Sequence, residues 1–69
     1  MVEFHIRLRE ARMMRKKTQK ETAQILDMAL RSYQFYEQGK TEPSISKLIA
    51  LADFFGVTMD YLVGRSDEP

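Results

Sequence analysis

At 69 residues the chain lies near the lower limit for independent folding, and its 43% hydrophobic content suffices for one core of closely packed helices rather than several layers. No cysteine and a single histidine exclude disulfides, thiol nucleophiles and a zinc site. No apolar run approaches the roughly 18 residues of a membrane span, and the charged N-terminus lacks the apolar stretch of a signal peptide, so a cytoplasmic protein without metal, cofactor or membrane attachment is expected. The net charge of +1 conceals an asymmetry: residues 1–20 hold seven Lys or Arg against two Glu, giving +5, and the remainder four against eight, giving −4. Positive potential gathered at one end suits an approach to phosphates, although a solvated helix face has the same composition.

Phe4, Leu8, Ala11 and Met14 recur at three- and four-residue steps and predict a first helix ending near Lys16. Thr18 followed three residues later by Glu21 is a capping box, opening a second helix over Gln19–Leu26 with Ala23, Ile25 and Leu26 as its apolar residues. Asp27, Met28 and Ala29 leave room only for a sharp turn before a third helix over Leu30–Gln38, which Gly39 ends. Ser44 caps a fourth helix carrying Ile45, Leu48, Ile49, Ala52 and Phe55 at helical spacing up to Gly56. Thr58 caps a short fifth, Met59–Val63, stopped by Gly64. No segment alternates at strand period, so the fold class is all-α, a compact five-helix bundle. Residues 1–64 form the domain, and the polar tail 65–69 is expected to fray or to begin a linker.

Thr18-Gln19-Lys20-Glu21-Thr22-Ala23, Tyr36-Glu37-Gln38-Gly39-Lys40-Thr41-Glu42-Pro43-Ser44 and Leu51-Ala52-Asp53-Phe54-Phe55-Gly56-Val57-Thr58-Met59-Asp60-Tyr61-Leu62 together resemble the Cro and phage-repressor type of helix-turn-helix protein, the xenobiotic-response-element-like regulators. The likeness runs from about Leu8 to Gly64 and includes several separated motifs in order. It implies a lambda-repressor-like fold in which helices two and three form the DNA-reading unit and the third enters the major groove. It also implies that Gln19 faces a phosphate, that Leu30, Arg31, Gln34 and Phe35 lie nearest the bases, and that Arg12 pairs with Glu37 to fix an interhelical angle. Two departures stand out: Asp27 replaces the usual turn glycine, and Ala29 replaces the Ser or Thr that normally caps the recognition helix.

A helical wheel of the third helix places Ala29, Tyr33, Tyr36 and Glu37 inward and Arg31, Gln34, Phe35 and Gln38 outward. The outward guanidinium and amides suit guanine and adenine edges. Two readings fit Phe35: contact with a thymine methyl group, favoured here, or, with Leu30, an apolar patch for a protein partner. Arg15, Lys17 and Lys20 border the phosphates beside Gln19, or else form a solvated helix end, and Lys40 and Lys47 are further phosphate candidates. His5 is a surface residue, and Met13, Met14, Met28 and Met59 are core or partner contacts. The expected partners are a double-stranded DNA operator and a second copy of the chain, with Val57, Met59, Tyr61 and Val63 as dimer candidates. No catalytic constellation is present, and the alternative to a DNA-binding repressor is a protein-interaction module on the same fold.

Overall fold

The computed structural model describes residues 3–69, and within them the chain runs through five α-helices and no strand: α1 (Phe4–Met14), α2 (Gln19–Ile25), α3 (Leu30–Glu37), α4 (Ile45–Phe55) and α5 (Met59–Leu62). Three of the four later helices begin with a side-chain cap. Thr18 Oγ1 accepts from the Glu21 amide at 3.0 Å while Glu21 Oε1 accepts from the Thr18 amide at 2.9 Å, Ser44 Oγ accepts from the Lys47 amide, and Thr58 Oγ1 from the Tyr61 amide. Of these four, α3 alone opens without one, because Ala29 has no oxygen to offer. Ala29 is also exposed at the N-cap position, not inward as the wheel placed it, because the wheel extended helical geometry one residue too far.

Every helix ends in paired backbone bonds closed by a residue with left-handed backbone. At α1 the Lys17 amide donates to the Arg12 carbonyl and the Lys16 amide to that of Met13. At α2 the Met28 amide donates to Ala23 and the Asp27 amide to Gln24. The left-handed residue is a glycine at three of these ends, but Lys16 (φ 57°) and Asp27 (φ 53°) hold it at α1 and α2. The tight turn between α2 and α3 therefore closes as it would with glycine, at the steric cost of a Cβ in that region.

The core gathers Leu8 and Ala11 from α1, Ala23 from α2, Tyr33 from α3, Leu51, Ala52 and Phe55 from α4, and Leu62 from α5, with Phe4, Met28 and Leu48 packed against it. α3 lies against α1 and α2, and α5 against α1 and α4. The apolar periodicity overstated the core of α4: Ile45 is 76% exposed and Ile49 is also exposed, because the facing helices cover only the stripe through Leu48, Leu51 and Phe55. Met13 and Met14 are exposed at the end of α1 for the same reason.

The tail is bound rather than frayed. Arg7 lies in the inward stripe of α1, three residues from Phe4, and is buried. Its Nη1 donates to the carbonyls of Tyr61 (3.0 Å) and Ser66 (2.9 Å), its Nη2 donates to Asp67 Oδ1 (3.0 Å), and its guanidinium stacks 4.1 Å from the Tyr61 ring centre. The Thr58 amide donates to the Pro69 carbonyl. A buried guanidinium needs such partners, and the segment 65–69 supplies two of them.

Candidate nucleic-acid interface

α2, the Leu26–Ala29 turn and α3 form a helix-turn-helix. Tyr33, Tyr36 and Glu37 face inward from α3, and Leu30, Arg31, Ser32 and Gln38 lie exposed on its open side. Phe35 is half-buried rather than free: the Arg31 guanidinium lies 5.7 Å from its ring centre and Lys40 Nζ 5.3 Å, on the residue that follows Gly39. Gln34 is likewise half-buried, turned toward α2.

The inward side is organised on the Glu37 carboxylate, which is 4% exposed. Its Oε2 accepts from Arg12 Nε at 2.6 Å and from the Tyr33 hydroxyl, and its Oε1 from Arg12 Nη2 at 3.2 Å and Gln19 Nε2 at 3.1 Å. Four donors on two oxygens satisfy a carboxylate completely. Burial pushes the carboxyl upward, but the hydrogen bonds from Arg12, Tyr33 and Gln19 outweigh it and hold Glu37 below the ordinary carboxylate range. The same bond to Glu37 raises Arg12. Burial, then the bond to Glu37, raises the Tyr33 phenol. The remaining Arg12 donor, Nη1, reaches the Lys17 carbonyl at 2.9 Å, so one guanidinium joins α1, α3 and the α1–α2 turn.

Several candidate phosphate ligands are committed elsewhere. Arg15 donates from Nε to the Phe55 carbonyl (2.7 Å) and from Nη2 to that of Gly56 (3.3 Å), capping the C-terminus of α4, where carbonyls attract a cation. Lys47 Nζ donates to the Leu26 carbonyl at 3.2 Å and closes the end of α2 in the same way. Lys17 Nζ sits 5.3 Å from the Phe54 ring centre. The Gln19 side chain turns into the Glu37 cluster instead of outward, and its Oε1 accepts from Gln34 Nε2 at 3.1 Å. Lys20 and Lys40 remain exposed with no hydrogen-bonded partner among the described residues, Lys20 at the start of α2 and Lys40 just beyond α3. Of the dimer candidates, Val57 and Tyr61 are already buried at 9% exposure inside one chain and have little area left for a partner, whereas Met59 is exposed and Val63 half-buried.

Sequence reasoning missed Arg7 and the Gln19–Gln34 contact. A signal existed for the first, since Arg7 falls on the stripe of Phe4, Leu8 and Ala11 where an unpartnered charge is costly. Among the described residues no group of His, Asp or Glu is arranged to hold a metal ion, and no helix is long and apolar enough to cross a membrane.

Residues 8–62 match the helix-turn-helix family HTH_3. The HTH-type transcriptional regulator YobD of Bacillus subtilis is 36% identical over 63 residues, 91% of this chain and 56% of that protein. AnsR of the same organism, also an HTH-type transcriptional regulator, is 39% identical over 90% of this chain and 53% of its own length. The cryptic phage CTXphi transcriptional repressor RstR of Vibrio cholerae is 37% identical over 71% of this chain and 44% of its own. The chain thus spans about half the length of the curated relatives it matches. A transcriptional regulator from Listeria innocua superposes with a TM-score of 0.84 at 31% identity, covering 97% of this chain and 63% of that one. With a capped second helix, a left-handed Asp27 turn and a third helix open on one side, and with a family match over residues 8–62, the chain belongs to the helix-turn-helix family HTH_3.

Proposed function

We propose that this chain is a sequence-specific reader of double-stranded DNA that inserts α3 into the major groove as a homodimer and regulates transcription, repressing by occlusion of its operator. The observation that carries the proposal is the open face of α3: Arg31 projects there one residue into the helix, and the two uncommitted lysines, Lys20 and Lys40, stand at its two ends. Recognition helices of this type present their N-terminal residues to base edges, and an arginine there donates to guanine O6 and N7. Leu30 and Phe35 supply apolar surface for thymine methyl groups, and Gln34 an amide. Lys20 and Lys40 contact phosphates.

The arrangement favours DNA over a protein partner for this face. Phe35 is half-buried between two cations, and Leu30 alone leaves too small an apolar patch for a stable protein interface. Two-fold pairing is expected from the few base pairs one recognition helix covers, with half-sites about 34 Å apart, one helical turn. Met59 and Val63 are the dimer residues with surface to give. The similarity to the phage repressor RstR supports repression, and a regulator of a bacterial chromosome works in the cytoplasm.

Selection from a random duplex pool followed by a salt series tests the proposal. The expected outcome is one enriched two-fold-symmetric site whose affinity falls linearly on a logarithmic salt scale. A chain that enriches no sequence, or whose binding ignores salt, is not a DNA reader of this kind.

A further inference from the structure

We infer that Gln19 is a positioning residue that locks the side-chain amide of Gln34 with its oxygen toward the bases, so that the base facing Gln34 must offer a hydrogen-bond donor. The inference rests on the proposed reading of DNA by α3 and adds a chemical rule for one base pair.

The lock is a matter of donor and acceptor logic along one chain of contacts. An ionised carboxylate only accepts hydrogen bonds, so the Gln19 atom 3.1 Å from Glu37 Oε1 has to be the amide nitrogen. The Gln19 oxygen then points the other way, and the Gln34 atom 3.1 Å from it has to be a donor in turn, Nε2. Each amide is oriented by the one before it, and the relay starts at a carboxylate that Arg12 and Tyr33 hold in place. Amide nitrogen and oxygen are usually interchangeable by a half-turn of the last torsion, but here a half-turn of Gln34 sets its oxygen against that of Gln19 and loses a bond.

With one amide hydrogen committed to Gln19, Gln34 has its Oε1 and one remaining N–H for DNA. In the major groove adenine offers an N6 donor beside the N7 acceptor, and cytosine an N4 donor. Guanine offers only O6 and N7 acceptors, and thymine the O4 acceptor and a methyl group. The locked oxygen therefore accepts from adenine, or less completely from cytosine, and is repelled by guanine and thymine. A free glutamine could turn its N–H toward those acceptors; this one cannot without breaking the relay. Leu30, the first residue of α3, has no polar group with which to compete for Gln19.

The test compares wild type, Gln19→Met, Gln34→Ala and the double variant on the selected site and on all single-base variants of it, with melts to confirm folding. Gln19→Met retains length and packing but has no amide. The expected result is that each single change reduces discrimination against guanine and thymine at one and the same base pair by about tenfold, and that the double variant loses no more than either alone. If Gln19→Met weakens binding equally on every sequence and leaves discrimination at that pair intact, Gln19 is only a phosphate contact and the inference falls. A second arm needs no DNA: in the free protein the Gln34 side-chain amide protons should be slowed in exchange and shifted, and both effects should vanish in Gln19→Met. Unchanged Gln34 amide signals overturn the lock even if DNA binding stands. Failure of the wild type to select any sequence refutes the DNA reading instead, and the amide signals then decide the lock on their own.

Discussion

Replacing Arg12 by alanine removes two of the four donors on a carboxylate that is 4% exposed, along with its only close positive charge. Arg9 Nε, 4.0 Å from Glu37 Oε1, is largely solvent-exposed and cannot substitute for it. Breaking a buried ion pair from one side costs about 3 to 5 kcal/mol, whereas a surface pair is worth about 1 or less. A domain of this size has only about 3 to 10 kcal/mol in total, so Arg12→Ala should lower the melting temperature by at least about 12 °C. The pH dependence carries a second signature. In the parent, Glu37 is held below its ordinary 4.5, so its contribution is fully present above that pH and is lost as pH falls through the lower folded-state value. In Arg12→Ala burial acts with less opposition and raises the carboxyl, so acidification toward pH 4.5 should relieve the variant while it brings the parent no gain. Urea melts at pH 7 and pH 4.5 measure both, and Arg12→Met/Glu37→Leu should recover most of the loss, because no unpaired charge remains. A single Arg12→Ala variant that melts like the parent at both pH values would refute the buried-hub reasoning.

The backbone and the tail give three further expected outcomes. Lys16→Gly should stabilise the fold by about 0.5 to 1 kcal/mol in urea melts, since φ 57° is free to glycine and strained for lysine, part of the gain being offset by unfolded-state entropy. Ala29→Ser should add about 1 kcal/mol by supplying α3 with the cap it lacks, because the residue already has the extended backbone of an N-cap (φ −65°, ψ 145°). Arg7→Ala should cost about 3 kcal/mol through the loss of buried charge-assisted hydrogen bonds, and limited proteolysis should then cut within residues 65–69, which the parent protects.

The helices were legible because their punctuation is local. Thr18 with Glu21, Ser44 and Thr58 each cap the helix that begins at the next residue, and Gly39, Gly56 and Gly64 each terminate the helix on their N-terminal side. The roles of the cations were not legible. Arg7, Arg12 and Arg15 lie within or at the end of one helix and read as a positive surface, yet each finds a different partner: the tail, Glu37 and the end of α4. Only Arg12 carried a family pattern naming its partner. A carbonyl left open at a helix end has no sequence signature, so the capping by Arg15 and Lys47 emerges only when α4 is placed in space. Val57 and Tyr61 illustrate the same limit from the apolar side, since a hydrophobic residue near a chain end reads equally as core or interface until its neighbours are known.

Titration of Arg31→Ala and Lys20→Ala against the selected site and its single-base variants, at several salt concentrations, tests the account most directly. The prediction is that Arg31→Ala loses about 1 to 3 kcal/mol and its preference at one guanine, while Lys20→Ala loses affinity equally on all sequences and the salt slope shrinks by about one. Full discrimination at every base pair by Arg31→Ala would contradict the placement of the open face of α3 against the bases.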